Sequence, residues 1–408
     1  MTYRGANCEK GAEFFVIDDP TPHAPGRHLV QVPGPTNVPR TVLKALSEPT
    51  IDHRSEEFAE LTHGLLRDIQ PVFGSEGPVV MFAGSGTGAQ EAALQNTLSP
   101  GDKVLSVETG HFARLWASMA ERFGLEVERI STDWRHPVDP AAVADHLHGD
   151  DGAAIKAVLV THNETSTGVL SDVAAVRQAI DAVGHPALLF VDAVSSLGST
   201  EYLHDAWRVD VTVACSQKGL MLPPGLCFNA ISDRALRASD TATLPRSYWS
   251  WAPVLEANAS GLFPYTPPTN LLFGLRAALD LLETEGLAAV FARHRRHAAA
   301  SRAAVAAWGL EMQCLDPSAY SPTLTAVVVP DGILEQDLRR VIHDTYAMSL
   351  GSGLGKLTGR VFRIGHLGDL GDLDLIAVLG GVELGLEKAK VPHHPGGVSA
   401  ALEVLAAS

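Results

Sequence analysis

Apolar runs of strand length recur between residues 79 and 232, and stretches with helical spacing separate most of them. "PVVMFAG" precedes "GAQEAALQNTL", "DKVLSVET" precedes "ARLWASMAERFG", and "KAVLVTH" precedes "SDVAAVRQAIDAV". "ALLFVDA" and "VDVTVACS" complete the series. These runs are uniformly apolar rather than alternating, so the sheet they form must be covered on both faces. The pattern predicts an α/β fold: a mostly parallel sheet flanked by crossover helices, with ligands outside the carboxyl ends of its strands.

Beyond residue 285 the texture changes. "LAAVFARHRRHAAASRAAVAAWG" has helical composition, and its RHRRH segment reads as a solvated helix face rather than a phosphate site. A strand "TLTAVVVP", a helix near 333–347, a strand "VFRIGH" and a final helix near 371–390 predict a smaller C-terminal α+β domain. "VPHHPGG" reads as a short loop. The expected division is 1–40 as an N-terminal arm or small-domain segment, 41–285 as the large α/β domain, and 286–408 as the small domain. The opening, "MTYRGANCEKGAEFFVIDDPTPHAPGRH", reads as an extended arm lying on a partner subunit.

Composition narrows the function classes. The chain has 408 residues and a formal net charge of −16. Nucleic acid and anionic membranes both require a basic face, so neither is expected as a partner. No run approaches the ~18 apolar residues of a membrane span, and the opening is unlike a signal peptide. Four cysteines, Cys8, Cys215, Cys227 and Cys314, show no paired spacing. That pattern predicts reduced thiols in a cytoplasmic protein, with no disulfide framework and no metal site.

The candidate chemistry stands where the apolar runs end. Lys218 in "CSQKG" follows the last of them. A lysine there either turns into solvent, or is held neutral, or is covalently occupied. "AGSGTGAQEAAL" offers glycine-turn N–H groups at a helix start, with Ser85 and Thr87 adding hydroxyls, a site suited to phosphate. The same glycines, Gly84 and Gly86, with Ala89 fit a dinucleotide GxGxxA pattern, and Glu108 lies where a ribose-binding acid would. An NAD-dependent dehydrogenase is therefore one alternative, and a turn that only packs strand on helix is another. Phe112 follows the second run, the hydroxyl-rich "THNETSTGVL" a later one, and Asp192 closes "LLFVD". One ligand, pyridoxal 5'-phosphate, uses all of these groups: phosphate donors, an aromatic face, a hydroxyl, a carboxylate for the ring nitrogen and a lysine for the aldehyde.

"PGPTNVP", "IDHRSEEF", "GSGTGAQEAAL", "HNETSTGVL", "VDAVSSLGS", "SQKGLMLPPG" and "FRIGHLG" together resemble the class V, fold-type I aminotransferases over about residues 28–390. "PRSYW", "FPYTPPTNLL" and "SLGSGLGKL" resemble their serine–glyoxylate branch, within the alanine–glyoxylate aminotransferase family. The resemblance implies pyridoxal phosphate as cofactor and a large and a small domain. It implies Lys218 as the Schiff-base lysine and Asp192 as partner of the pyridine nitrogen. Ser85, Gly86, Thr87 and Gln217 correspond to phosphate contacts, Phe112 to the stacking ring, and Thr165 to the hydroxyl at the phenolic oxygen. Thr266 corresponds to a residue reaching the neighbouring subunit's phosphate, with Tyr265 beside it. Arg363 corresponds to the arginine that grips the substrate α-carboxylate, and Gly34 to a pocket-lining residue. A homodimer or homotetramer with shared sites is implied. So is transfer of the amino group of a small L-amino acid, L-serine above all, to glyoxylate, with alanine or aspartate as alternative donors. Aspartate would need a second cation, for which Arg54 and Arg246 are candidates. A cysteine desulfurase is the rival reaction within this fold; it needs a thiol near the substrate, and Cys314 is poorly placed for that.

Overall fold

The computed structural model describes residues 27–149 and 152–407. The predicted arm lies, but for its last two residues, outside the described residues, as does Cys8. The apolar runs form the interior of a seven-stranded sheet in the order 79–84, 225–231, 211–215, 188–192, 155–161, 103–108, 126–131. Successive side chains enter opposite cores, which is why the runs carry no polar alternation. Val79 and Met81 join one cluster while Val80 and Phe82 join the other; Leu189 and Val191 part in the same way from Leu188 and Phe190. Helices Glu56–Phe73 and Thr269–Glu285 cover the first face, and Gly86–Thr97 and His111–Arg122 the second.

The sheet is mixed. Four pairings are parallel, but Gly225–Ile231 runs antiparallel to both neighbours. Only residues 216–224 connect it to Val211–Cys215, too few for a crossover helix, so the chain must turn back. That turn carries Lys218. Glu126–Ser131 is an outer strand, half exposed and charged, and so gave no apolar signal.

A second, five-stranded sheet has the order 29–31, 348–352, 361–365, 324–328, 311–312. Leu29–Gln31 pairs in parallel with Met348–Ser352 and brings the N-terminal segment beside the C-terminal strands. Leu287–Ala307, Glu335–Tyr346 and Asp372–Lys388 pack on this sheet. Asp372–Lys388 is not the last helix: after the "VPHHPGG" loop, Gly397–Ala407 packs on Leu287–Ala307. Its glycine start and short length hid it.

The reading of RHRRH as a solvated face is overturned. His294 and His297 are both 0% exposed. Arg293 pairs with Glu285, and Arg296 with Asp372. The acids that satisfy this helix come from other elements, so no charge pattern within it could announce them. Among the described residues no helix is long and apolar enough to cross a membrane, and no acid, histidine and cysteine group could hold a metal ion.

Candidate active site

Residues at or just beyond the ends of strands 79–84, 103–108, 155–161, 188–192 and 211–215 line one cavity of about 330 Å³. Ser85, Gly86 and Thr87 come from the first strand end, Phe112 from the second, Thr161, Asn163 and Thr165 from another. Asp192 and Val194 follow, then Gln217 and Lys218. Gly34 and Pro35 close the cavity from the N-terminal segment.

The glycine turn starts helix Gly86–Thr97 at the cavity. Ser85 has extended backbone and its side chain makes no capping bond, so its hydroxyl can meet an anion at the helix start, although the Gly86 N–H is directed at the Cys215 thiol. The glycines are required by packing. A Cβ on Gly86 would lie 2.7 Å from Val194 Cγ2, and one on Gly88 2.7 Å from Trp249 Cζ2.

Asp192 is 4% exposed. It accepts hydrogen bonds from Val194 N–H at 2.9 Å and from Gln90 Nε2 at 2.7 Å. Burial raises its pKa from 3.8 to about 6, which those bonds partly oppose. Lys218 is also buried, and its Nζ donates to the Pro33 carbonyl. Burial lowers the lysine pKa from 10.5 to about 8, with Arg363 adding to the effect. A lysine that gives up its proton more readily than a free one and a buried carboxylate thus face the same enclosed space.

Arg363 lies on strand Val361–Gly365 of the small sheet, opposite Ala326 and Gly351. Its Nη1 donates to Thr165 O and its Nε to Ser352 O, both at 2.8 Å. It therefore stands directly behind the cavity wall at Thr165. Burial lowers its pKa to about 10, and Glu164 opposes that shift.

Of the residues singled out in the sequence, Gly34, Ser85, Gly86, Thr87, Phe112, Thr165, Asp192, Gln217 and Lys218 line the cavity. Tyr265 and Thr266 do not. The Tyr265 ring stacks on Tyr248 at 4.6 Å, and Thr266 is exposed on the same loop. Arg54 is exposed and does not line the cavity, and Arg246 spends its guanidinium on the carbonyls of Gln95, Ala242 and Ser239.

Sequence reasoning missed Gln90, Asn163 and Glu164. Gln90 lies one helical turn after Gly86, so it could have been placed on the cavity face. Glu164 is 0% exposed and accepts from Phe112 N–H and Ala113 N–H, both at 3.1 Å, and from Ser166. It caps the helix that carries Phe112. Its signal was drowned by the hydroxyls of "THNETSTG".

The cavity fits pyridoxal phosphate on its own chemistry. Thr161 Oγ1, Asn163 Oδ1 and Gln217 Oε1 are buried without a hydrogen-bond partner among the described residues, and all three residues line it. Orphaned polar groups of this kind call for a polar ligand. The helix N-terminus, half-buried Phe112, Asp192 and Lys218 supply the remaining complement. The dehydrogenase alternative loses its acid, because Glu108 is paired with Arg129. No described cysteine lines the cavity, and Cys314 Sγ is turned toward Asp316 O and Ala319 O.

Comparison with known proteins shows the family. The family model "Aminotransferase class-V" matches residues 30–356. The serine–glyoxylate aminotransferase of Methylorubrum extorquens is 46% identical over 93% of this chain and 96% of its own. The L-aspartate–glyoxylate aminotransferase of Paracoccus denitrificans is 45% identical over 91% and 94%. Among solved structures, pyridoxamine–pyruvate aminotransferase from Mesorhizobium loti superposes with a TM-score of 0.88 at 32% identity, covering 93% of this chain and 97% of that one. A buried lysine, a buried carboxylate and a glycine-started helix around one cavity, on this fold and with these relatives, make the chain a member of the class V aminotransferases, enzymes of fold-type I that use pyridoxal phosphate.

Proposed function

We propose that the chain transfers the amino group of a small L-amino acid, foremost L-serine, to glyoxylate, giving hydroxypyruvate and glycine by a ping-pong mechanism. The observation that carries this reading is the buried Lys218 amine, with its pKa lowered to about 8, sharing an enclosure with Asp192 and backed by Arg363. The 46% identity to a serine–glyoxylate aminotransferase supports the choice of donor and acceptor.

When bound, pyridoxal phosphate supplies an aldehyde that takes up an amine and a cationic ring that draws electrons from the bond being broken. Lys218 Nζ would hold the group by its aldehyde and, once free, would act as the base that takes the donor Cα proton and as the acid that passes it on to the former aldehyde carbon. A lysine lowered toward neutrality suits that task, because an ordinary ammonium is a poor base. The Asp192 carboxylate, oriented by Gln90 and Val194 N–H, would keep the ring nitrogen protonated. A cation at that nitrogen would pull the Asp192 pKa back down. Phe112 would cover one face of the ring, and Thr165 would donate to its phenolic oxygen. Ser85, Gly86, Thr87 and Gln217 would hold the phosphate, and Arg363, turning its fork from the Thr165 and Ser352 carbonyls, would grip the donor carboxylate.

Tyr265 and Thr266 are assigned to the phosphate of a neighbouring subunit, in a homodimer or homotetramer. The proposed division of the chain is 1–40, 41–285 and 286–408, and the proposed compartment is the cytoplasm. Aspartate is the second reading: Arg122 lines the cavity and offers a second cation, and the Paracoccus relative is nearly as similar. Alanine would present the same carboxylate to Arg363 as serine. Steady-state rates for serine, alanine and aspartate with glyoxylate held constant test the assignment. Serine is expected to have the highest kcat/KM; a clear preference for aspartate would overturn the choice of donor.

A further inference from the structure

The segment 31–36 lies between Lys218 and the strand that bears Arg363, and it touches both. Gln31 Nε2 donates to Gly365 O at 2.7 Å, and a Cβ on Gly365 would sit 2.6 Å from the Val32 carbonyl carbon. On the other side Pro33 O accepts from Lys218 Nζ. Thr36 N–H donates to Gln217 O at 3.2 Å, and its hydroxyl donates to Lys218 O at 3.3 Å.

Gly368 supports this segment from behind. Its φ of +87° suits glycine, and a Cβ there would approach Thr36 Cβ to 3.2 Å. Both polar groups of Gly368 meet the RHRRH helix, and the carbonyl also accepts from Leu370 N–H at 3.1 Å. His294 Nε2 accepts the Gly368 N–H at 3.1 Å, and Arg293 Nη1 donates to its carbonyl at 2.9 Å. The tautomer of His294 follows from its other nitrogen. Nδ1 lies 2.7 Å from Val290 O, an acceptor, so Nδ1 carries the proton and Nε2 is free to accept. Arg293 is locked in turn by Glu285, at 2.6 and 2.9 Å.

We propose that His294 and Arg293 are positioning residues for the chemistry at Lys218: by fixing both polar groups of Gly368 they hold segment 31–36 against the lysine and the Arg363 strand. Neither lines the cavity, so their effect passes through Gly368 and Thr36. The inference rests on the aminotransferase reading for its kinetic consequence, but its structural consequence stands apart from it.

His294→Phe keeps the ring volume and removes the acceptor, whereas His294→Gln offers an amide oxygen to the same N–H. Arg293→Gln removes the carbonyl contact from a helix position that is partly exposed, and it decides the question if the phenylalanine variant fails to fold. In the cofactor-loaded protein, His294→Phe and Arg293→Gln are expected to lower kcat about tenfold, with the serine KM within about twofold of wild type. His294→Gln is expected to restore kcat to within about twofold. Hydrogen exchange of peptides covering 31–36 and 366–370 should quicken about tenfold in the first two variants and not in the third. Wild-type exchange in those peptides overturns the inference whatever the kinetics, and so does a glutamine variant as impaired as the phenylalanine one. The exchange measurement needs no turnover, so it holds even if the wild type proves to have another activity.

Discussion

Replacing Lys218 with methionine should make the cofactor-free protein more stable at neutral pH. The side chain is buried, and its pKa falls from 10.5 to about 8 on folding. Each pKa unit corresponds to about 1.4 kcal/mol, so burying the ammonium costs about 3 kcal/mol at any pH where both states would otherwise carry the proton. The sign follows from the direction of the shift. The folded state binds this proton less tightly than the unfolded chain, so the destabilisation is complete below about pH 8 and fades as pH rises toward 10.5. Methionine keeps the length of the stem without the charge. It forfeits the hydrogen bond to Pro33 O, worth about 1 kcal/mol. The net gain at pH 7 is then about 2 kcal/mol. Urea denaturation of both proteins, stripped of cofactor, measures it; stripping is needed because a ligand bound to the native state adds its own stability. The gap should close by about pH 10. A methionine variant less stable than wild type at pH 7, or a gap independent of pH, would refute the reasoning.

Gly34→Ala places a Cβ 2.6 Å from Lys218 Nζ at a φ of +92°. The lysine must then shift by about 1 Å, and kcat should drop about 10²-fold; a value within about threefold of wild type would show the site to be looser than described. Asp192→Asn should preserve folding, because Gln90 and Val194 still frame the side chain, and lower kcat by at least about 10²-fold. Unchanged single-turnover rates in that variant would remove Asp192 from its role. Arg363→Lys exchanges a two-point grip for a point charge and should raise the serine KM about 10- to 100-fold; an unaltered KM would place the donor carboxylate elsewhere.

The large sheet was legible because every strand buried on both faces wrote itself as an apolar run, and the strand-end rule then pointed to Ser85, Phe112, Asp192 and Lys218. The reversed direction of Gly225–Ile231 and the half-exposed strand Glu126–Ser131 were not, since one depends on the length of a turn and the other on a wet edge. Residues whose task is set by distant partners stayed hidden. Glu164 serves a helix that starts more than fifty residues earlier, and His294 serves Gly368, more than seventy residues later. Their polar character reads as surface until the fold brings the partner in.

The most direct test of the central claim is reduction of freshly purified, cofactor-saturated protein with borohydride, followed by peptide mapping. The reduced adduct is expected on Lys218, in the peptide containing Ser216–Gly219, at close to one per chain. An unmodified Lys218 peptide under these conditions, or an adduct on another lysine, would contradict the assignment of this cavity as the catalytic site.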